Sequence, residues 1–245
     1  MATPDEVPLT GGRLTAGVVR IGDTVRRPCS PASPFVAALL THFEQQGFTG
    51  APRFRGVDQA GRDVLTYMEG LVPARFQRWT DEQVAAAGRL LRSLHDATRG
   101  SALAGGQPVV VHGDAGPNNA VFRHGQPVAF IDYDTAAPGL EITDVAYAGW
   151  TWVISSRPGA WSPGAQAAQL RVLTDAYGIG PWAPTVVVEA ILERQRENAR
   201  WWRAKLSRPG PHPATPQQIL ERAQWSEREH AFTLAHQHAF ESALG

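Results

Sequence analysis

Apolar residues recur along this chain with two different periods, and the change between them divides it. Through about the first seventy residues they come as short runs broken by turn formers. Ala16–Ile21 and Asp23–Arg27 flank Gly22-Asp23, a tight-turn pair between β-branched residues, which predicts a hairpin. Pro28 and Pro31 stop the second strand. From Pro34, the residues Phe35, Ala38, Leu39 and Phe43 recur at helical spacing as far as Gly47. Arg53–Val57 and Asp63–Met68 then read as two strands around a turn at Asp58–Gly61.

After Glu69-Gly70 the pattern turns mostly helical. Thr80 is placed to cap a helix with Gln83 at the capping-box position, and Val84, Ala87, Leu91 and Leu94 form its apolar stripe to about His95. Pro108–His112, Ala120–Phe122 and Pro127–Asp132 are short apolar strands. Four helices follow at about 141–155, 163–177, 184–206 and 214–243, punctuated by prolines. The reading is an α+β chain: a small antiparallel β-sheet lobe with one helix over residues 1–69, and a larger, mostly helical lobe over 70–245.

Composition narrows the classes of function. Apolar residues make up 43% and charged residues 19%, a globular balance. Twenty-three basic residues cancel twenty-three acidic ones, so no global positive field exists to hold nucleic acid or an anionic membrane, and neither is expected as a partner. Cys29 is the only cysteine, which excludes an intrachain disulfide framework. No apolar run approaches the roughly 18 residues of a membrane span. The first twelve residues are acidic and polar, unlike a signal peptide, so the expected location is cytoplasmic. Lys205 is the only lysine, which leaves arginine as the cation of any site built before it.

The chemistry concentrates in His112-Gly113-Asp114-Ala115-Gly116-Pro117-Asn118-Asn119, a loop after a buried strand, and in Ile131-Asp132-Tyr133-Asp134 at the end of another. Carboxylates and an amide converging from two strand ends suit a hard cation such as Mg²⁺, and a carboxylate that does not bind metal can take a proton from a hydroxyl. The pattern H-G-D-x-x-x-x-N followed by I-D-x-D resembles the aminoglycoside phosphotransferase-like family, small-molecule kinases with a protein-kinase-like fold. The resemblance spans roughly residues 10–150 and implies Asp114 as catalytic base, with Asn119 and Asp132 as ligands of Mg²⁺. It also implies that His112 braces the loop, that Asp134 tunes Asp132 or reaches a second metal, and that Asp144 supports the metal site. ATP or GTP would be the phosphoryl donor and a small hydroxyl-bearing molecule the acceptor.

The same resemblance places a phosphate-covering turn at Gly11–Gly17, with Gly12 as its candidate contact, and a nucleotide-edge contact at Met68 and Glu69. It also requires a cation on the third strand. Alternation along Thr24-Val25-Arg26-Arg27 puts Val25 and Arg27 on one face. If Val25 faces the helix at 34–46, Arg26 is left for the cleft. The acid that normally partners this cation early in that helix is missing; Glu44, near its far end, is the helix's only carboxylate. Over residues 140–245 ten acids balance ten bases, with no acidic excess for a polycationic acceptor. Trp201, Trp202 and Trp225 either fill helix seams or stack a ligand, and His230, His236 and His238 read as a histidine-rich surface. Three activities stay open: a small-molecule kinase; a nucleotide-binding pseudokinase or immunity-type protein with little or no transfer; and a metal-dependent hydrolase using the same carboxylates. The oligomeric state is not legible.

Overall fold

Tight turns build the first part of the molecule, a computed structural model that describes residues 6–9, 17–73, 77–179, 183–207 and 214–245. Gly22 and Asp23 fold β2 (Val19–Ile21) back on β3 (Thr24–Pro28), with Ile21 opposite Thr24. The second turn is tightened by Asp58, whose Oδ1 accepts from the backbone N–H groups of Ala60 and Arg62 at 2.9 and 3.0 Å. It joins β4 (Phe54–Val57) to β5 (Arg62–Thr66). With β1 (Val7–Pro8), a strand the periodicity did not reveal, these form an antiparallel sheet in the order β1-β2-β3-β5-β4. Helix α1 (Ser33–Gln45) begins at a proline-containing first turn and buries Val36, Leu39, Leu40 and Phe43.

The chain then crosses to a helical body. Helix α2 (Asp81–Thr98) carries the expected capping box at Thr80 and Gln83 and buries Val84, Ala87, Leu91 and Leu94. Two antiparallel pairs lie against it: β6 (Val109–Val111) with β9 (Ala137–Gly139), and β7 (Ala120–Arg123) with β8 (Gln126–Phe130). Helices α3 (Glu141–Ala148), α4 (Pro163–Tyr177), α5 (Pro184–Ser207), α6 (Pro216–Ala235) and α7 (Gln237–Leu244) complete it.

Two helix boundaries differ from the periodic pattern. Helix α3 stops at Ala148 and widens into a π-turn over Gly149–Val153, all of it buried. The last helix breaks at His236, whose φ of −116° and ψ of 15° leave the α region, so Phe240 of α7 folds back into the core. That core is continuous from α1 through Tyr133, Trp150, Trp152, Leu170 and Ile191 to Phe240. Trp225 stacks on Trp150 with ring centroids 4.6 Å apart, filling a helix seam, whereas Trp201 remains exposed.

Candidate active site

Strand β6 delivers the chain into the loop His112–Asn119, and a buried polar frame fixes its first turn. Asp144 of α3, fully buried, accepts from the backbone N–H groups of His112 and Gly113 at 2.6 and 2.8 Å and from Nε2 of His95 at 3.0 Å. His95, at the end of α2, meets the Tyr177 hydroxyl through Nδ1 at 2.8 Å. Burial alone would raise the Asp144 carboxyl, but the His95 hydrogen bond, the charges around it and the His112 amide together bring it below the ordinary aspartate value. His112 is buried too. Its Nδ1 accepts from the Asp114 N–H at 3.2 Å and its Nε2 lies 3.2 Å from the Ile131 carbonyl, a pairing that requires the Nε2–H tautomer. Gly113 sits at φ 79°, and a Cβ there would come within 2.7 Å of the Thr135 carbonyl oxygen.

The frame presents Asp114. Its Oδ2 accepts from Nδ2 of Asn119 at 2.8 Å, and the same Nδ2 reaches the Asp114 carbonyl at 2.9 Å. Its Oδ1 accepts from the Tyr147 hydroxyl. Because Nδ2 of Asn119 is committed to Asp114, its Oδ1 is left to face the other way, 3.3 Å from Nδ2 of Asn118. The Asn119 carbonyl accepts from the Ile131 N–H at 2.8 Å, so the two motif segments are tied together one residue before Asp132. Asp132 adopts a left-handed conformation, φ 66° and ψ 67°, uncommon for a residue with a side chain and typical of functional turns. Partial desolvation raises its carboxyl above the ordinary value and the charges of Asp134 and Asp114 add to this, while Arg27 opposes it and 48% of the side chain stays exposed to water.

The third-strand cation is reassigned. Arg26 turns away to Asp58, at 3.5 Å, and Arg27 is the residue that reaches the site, bonded to Asp134 and 3.6 Å from Asp132. The expectation placed helix and cleft on opposite faces of β3. Asp63, directly opposite Arg27, accepts from Ser33 at the start of α1 at 2.5 Å, so helix and cleft share one face. Glu44 does not replace the missing helix acid; it pairs with Arg55 at 3.1 Å on the surface. Asp134 is instead the partner of the strand cation.

Of the remaining expected residues, Met68 is partly buried in the crossing segment. Glu69 is exposed, and its carbonyl already accepts from Nε of Arg123 at 2.8 Å. Gly12 lies outside the described residues. Sequence reasoning missed Arg27, His95, Tyr147 and Arg194. Arg194 of α5 donates to the Gly113 carbonyl at 2.7 Å and lies over the Tyr147 ring, 4.8 Å from its centroid. Its signal was a charge three residues after Ile191 on an apolar helical stripe; His95, next to Leu94, was similar. A cavity of about 140 Å³ lies behind the loop, beside Trp79, Trp152, Trp161 and Trp225. It is smaller than the roughly 300 Å³ at which ligand pockets begin.

The residues present fit a hard divalent ion. Asn119 turns its side-chain oxygen away from Asp114, where it accepts a 3.3 Å bond from Asn118, Asp132 and Asp134 bring two carboxylates within reach of Arg27, and Mg²⁺ needs only one or two carboxylates when phosphates and water complete its shell.

A small antiparallel sheet with one helix, joined to a helical body that carries a His-Gly-Asp loop beside an Asp-bearing strand end, is the kinase-like phosphotransferase architecture. The model of the phosphotransferase enzyme family matches residues 97–184, which contain both motif segments. The trifolitoxin immunity protein of Rhizobium leguminosarum bv. trifolii is 33% identical over 269 residues, an alignment covering 98% of this chain and 99% of that protein. The chain belongs to the aminoglycoside phosphotransferase-like family. Among solved structures, a choline/ethanolamine kinase family protein from Mesorhizobium loti superposes with a TM-score of 0.62 at 16% identity, covering 98% of this chain and 93% of that one. Spectinomycin phosphotransferase in complex with ADP and spectinomycin superposes with a TM-score of 0.62 at 12% identity, covering 96% and 93%. At such identities these structures speak for the fold. Among the described residues no helix is long and apolar enough to cross a membrane.

Proposed function

We propose that this protein transfers the γ-phosphoryl group of ATP or GTP to a hydroxyl of a small molecule. The observation that carries the reading is the hydrogen-bonded pair Asp114–Asn119, fastened through the Asn119 carbonyl to the segment that ends in Asp132. Asp114 orients the acceptor hydroxyl and receives its proton as the hydroxyl oxygen bonds to the γ-phosphorus. The bond to the β,γ-bridging oxygen breaks, and the nucleoside diphosphate leaves. Asn119 and Asp132 are the residues that would hold Mg²⁺, which when bound would neutralise phosphate charge. Arg27 supplies a second positive charge, and its contact with Asp134 keeps it at the mouth of the site until phosphate competes for it. His112, His95 and Asp144 hold the loop, so the rate comes from positioning and charge neutralisation.

A second reading is an immunity-type protein that binds nucleotide but transfers slowly. Its support is the name of the trifolitoxin immunity relative together with the absence of an acid in the first turn of α1. Thermal-shift titration with ATP, with and without Mg²⁺, followed by product analysis against a panel of hydroxyl compounds, tests both. The first reading expects Mg²⁺-dependent stabilisation and transfer that Asp114→Asn abolishes while nucleotide binding survives. Binding without transfer to any acceptor favours the second. Stabilisation by metal alone, with no response to nucleotide, sinks both and favours a hydrolase.

A further inference from the structure

The base proposed above is already engaged by a hydroxyl of the protein itself. Asp114 has two carboxylate oxygens: Oδ2 is held by Asn119 and Oδ1 by the Tyr147 hydroxyl. Tyr147 therefore contacts the base as an acceptor alcohol would. Three neighbours hold it there. Asp144, three residues earlier on α3, anchors the helix to the loop, and Thr151 Oγ1 donates to the Tyr147 carbonyl at 2.9 Å. The Arg194 guanidinium lies over the ring while bonded to the Gly113 carbonyl, one residue from the base. Burial, then the charge of Asp114 and the bond to it, push the Tyr147 hydroxyl well above the ordinary tyrosine value, so it remains a donor across the working pH range.

We infer that Tyr147 is a positioning residue that guards Asp114 against water: its hydroxyl holds the carboxylate oxygen that would otherwise activate a water molecule, and it gives way only to an acceptor bound firmly enough to displace it. This rests on the phosphotransfer reading above and adds to it a determinant of acceptor over water. Without the guard, water oxygen bonds to the γ-phosphorus, the bond to the β,γ-bridging oxygen breaks, ADP and inorganic phosphate leave, and the water proton passes to Asp114 and on to solvent. A competitor of water worth one hydrogen bond sets the scale of the effect at roughly tenfold.

The test is Mg-ATP hydrolysis with no acceptor present, in the wild type, Tyr147→Phe, Asp114→Asn and the double variant, at a temperature where melting curves show all four folded. Tyr147→Phe is expected to raise the kcat of phosphate release about tenfold with KM for ATP unchanged, and the double variant is expected to lose the gain. A merely structural tyrosine gives an unchanged or reduced rate, which overturns the inference. A gain that persists in the double variant overturns it as well, because the base is then not what was guarded. Nucleotide thermal shifts separate this failure from a deeper one. If Mg-ATP stabilises neither the wild type nor Tyr147→Phe, the phosphotransfer reading falls and takes the inference with it; if it stabilises both and hydrolysis is unmoved, only the inference falls.

Discussion

Asp144→Ala is the substitution whose cost follows most directly from the geometry. The side chain is fully buried and accepts from the amides of His112 and Gly113 and from His95. Alanine strands all of these donors away from water. Each unsatisfied buried donor costs about 1–3 kcal/mol. For a chain of this size about 4 kcal/mol lowers Tm by roughly 8–16 °C. Calorimetry or circular dichroism at pH 7 reads this directly. A Tm within about 2 °C of the wild type would refute the frame as the fixture of the loop. The double variant Asp144→Ala/His95→Ala should cost less than the sum of the two singles, by about 1–3 kcal/mol, because His95 is no longer stranded. The sign with pH is also set. The folded carboxyl lies below its unfolded value of about 3.9, so its contribution is fully present above that value and is lost as pH falls through the lower folded value. The carboxyl's own contribution therefore fades only below about pH 4, and a gap between variant and wild type that did not narrow as the pH fell through that range would contradict the assignment.

Other outcomes follow from neighbouring features. Gly113→Ala should destabilise by about 1–3 kcal/mol through its positive φ and the 2.7 Å approach to Thr135. Gly22→Ala, with open space around it, should cost less in parallel melts, and equal losses would count against the crowding at Gly113. Arg27→Gln should weaken ATP-Mg²⁺ stabilisation while strengthening that by Mg²⁺ alone, since Asp132 and Asp134 lose their cation; unchanged shifts in both would remove Arg27 from the phosphate grip. Glu229 is raised chiefly by burial, so in the wild type stability is lost as pH rises through its folded value. Glu229→Gln should flatten Tm between pH 4.5 and 8, the slope of the melting curves against pH being the measurement.

Local signals carried much of this molecule. The hairpin at Gly22-Asp23, the capping box at Thr80 and Gln83, and the apolar strand leading into His112 are each short-range chemistry, and the structure keeps them. The α+β division was legible for the same reason. The side of β3 that meets the site was not. Alternation says that Arg26 and Arg27 part company, but which face carries the cleft depends on where α1 docks, and that is settled by Ser33 meeting Asp63 across thirty residues. Tyr147 and Arg194 were invisible on similar grounds, since they act by reaching from separate helices to a loop that neither adjoins in sequence. The π-turn at Gly149–Val153 and the break at His236 are tertiary accommodations inside stretches whose periodicity reads as unbroken helix.

The crossing segment limits how the two parts of the molecule can move. Tyr67 is fastened to the sheet through its N–H and the Asp23 carbonyl at 2.7 Å, while Leu71 and Phe122 exchange backbone hydrogen bonds of 2.9 and 2.7 Å on the helical side. Between these anchors lie only Met68, Glu69 and Gly70, and Glu69 is itself roped to Arg123. A tether that short does not let the sheet slide. Nor is it the only fastening, since the Phe130 N–H donates to the Gly50 carbonyl at 2.9 Å and His42 Nε2 meets the Ala97 carbonyl at 2.8 Å, so any opening that admits a nucleotide has to work against several ties at once.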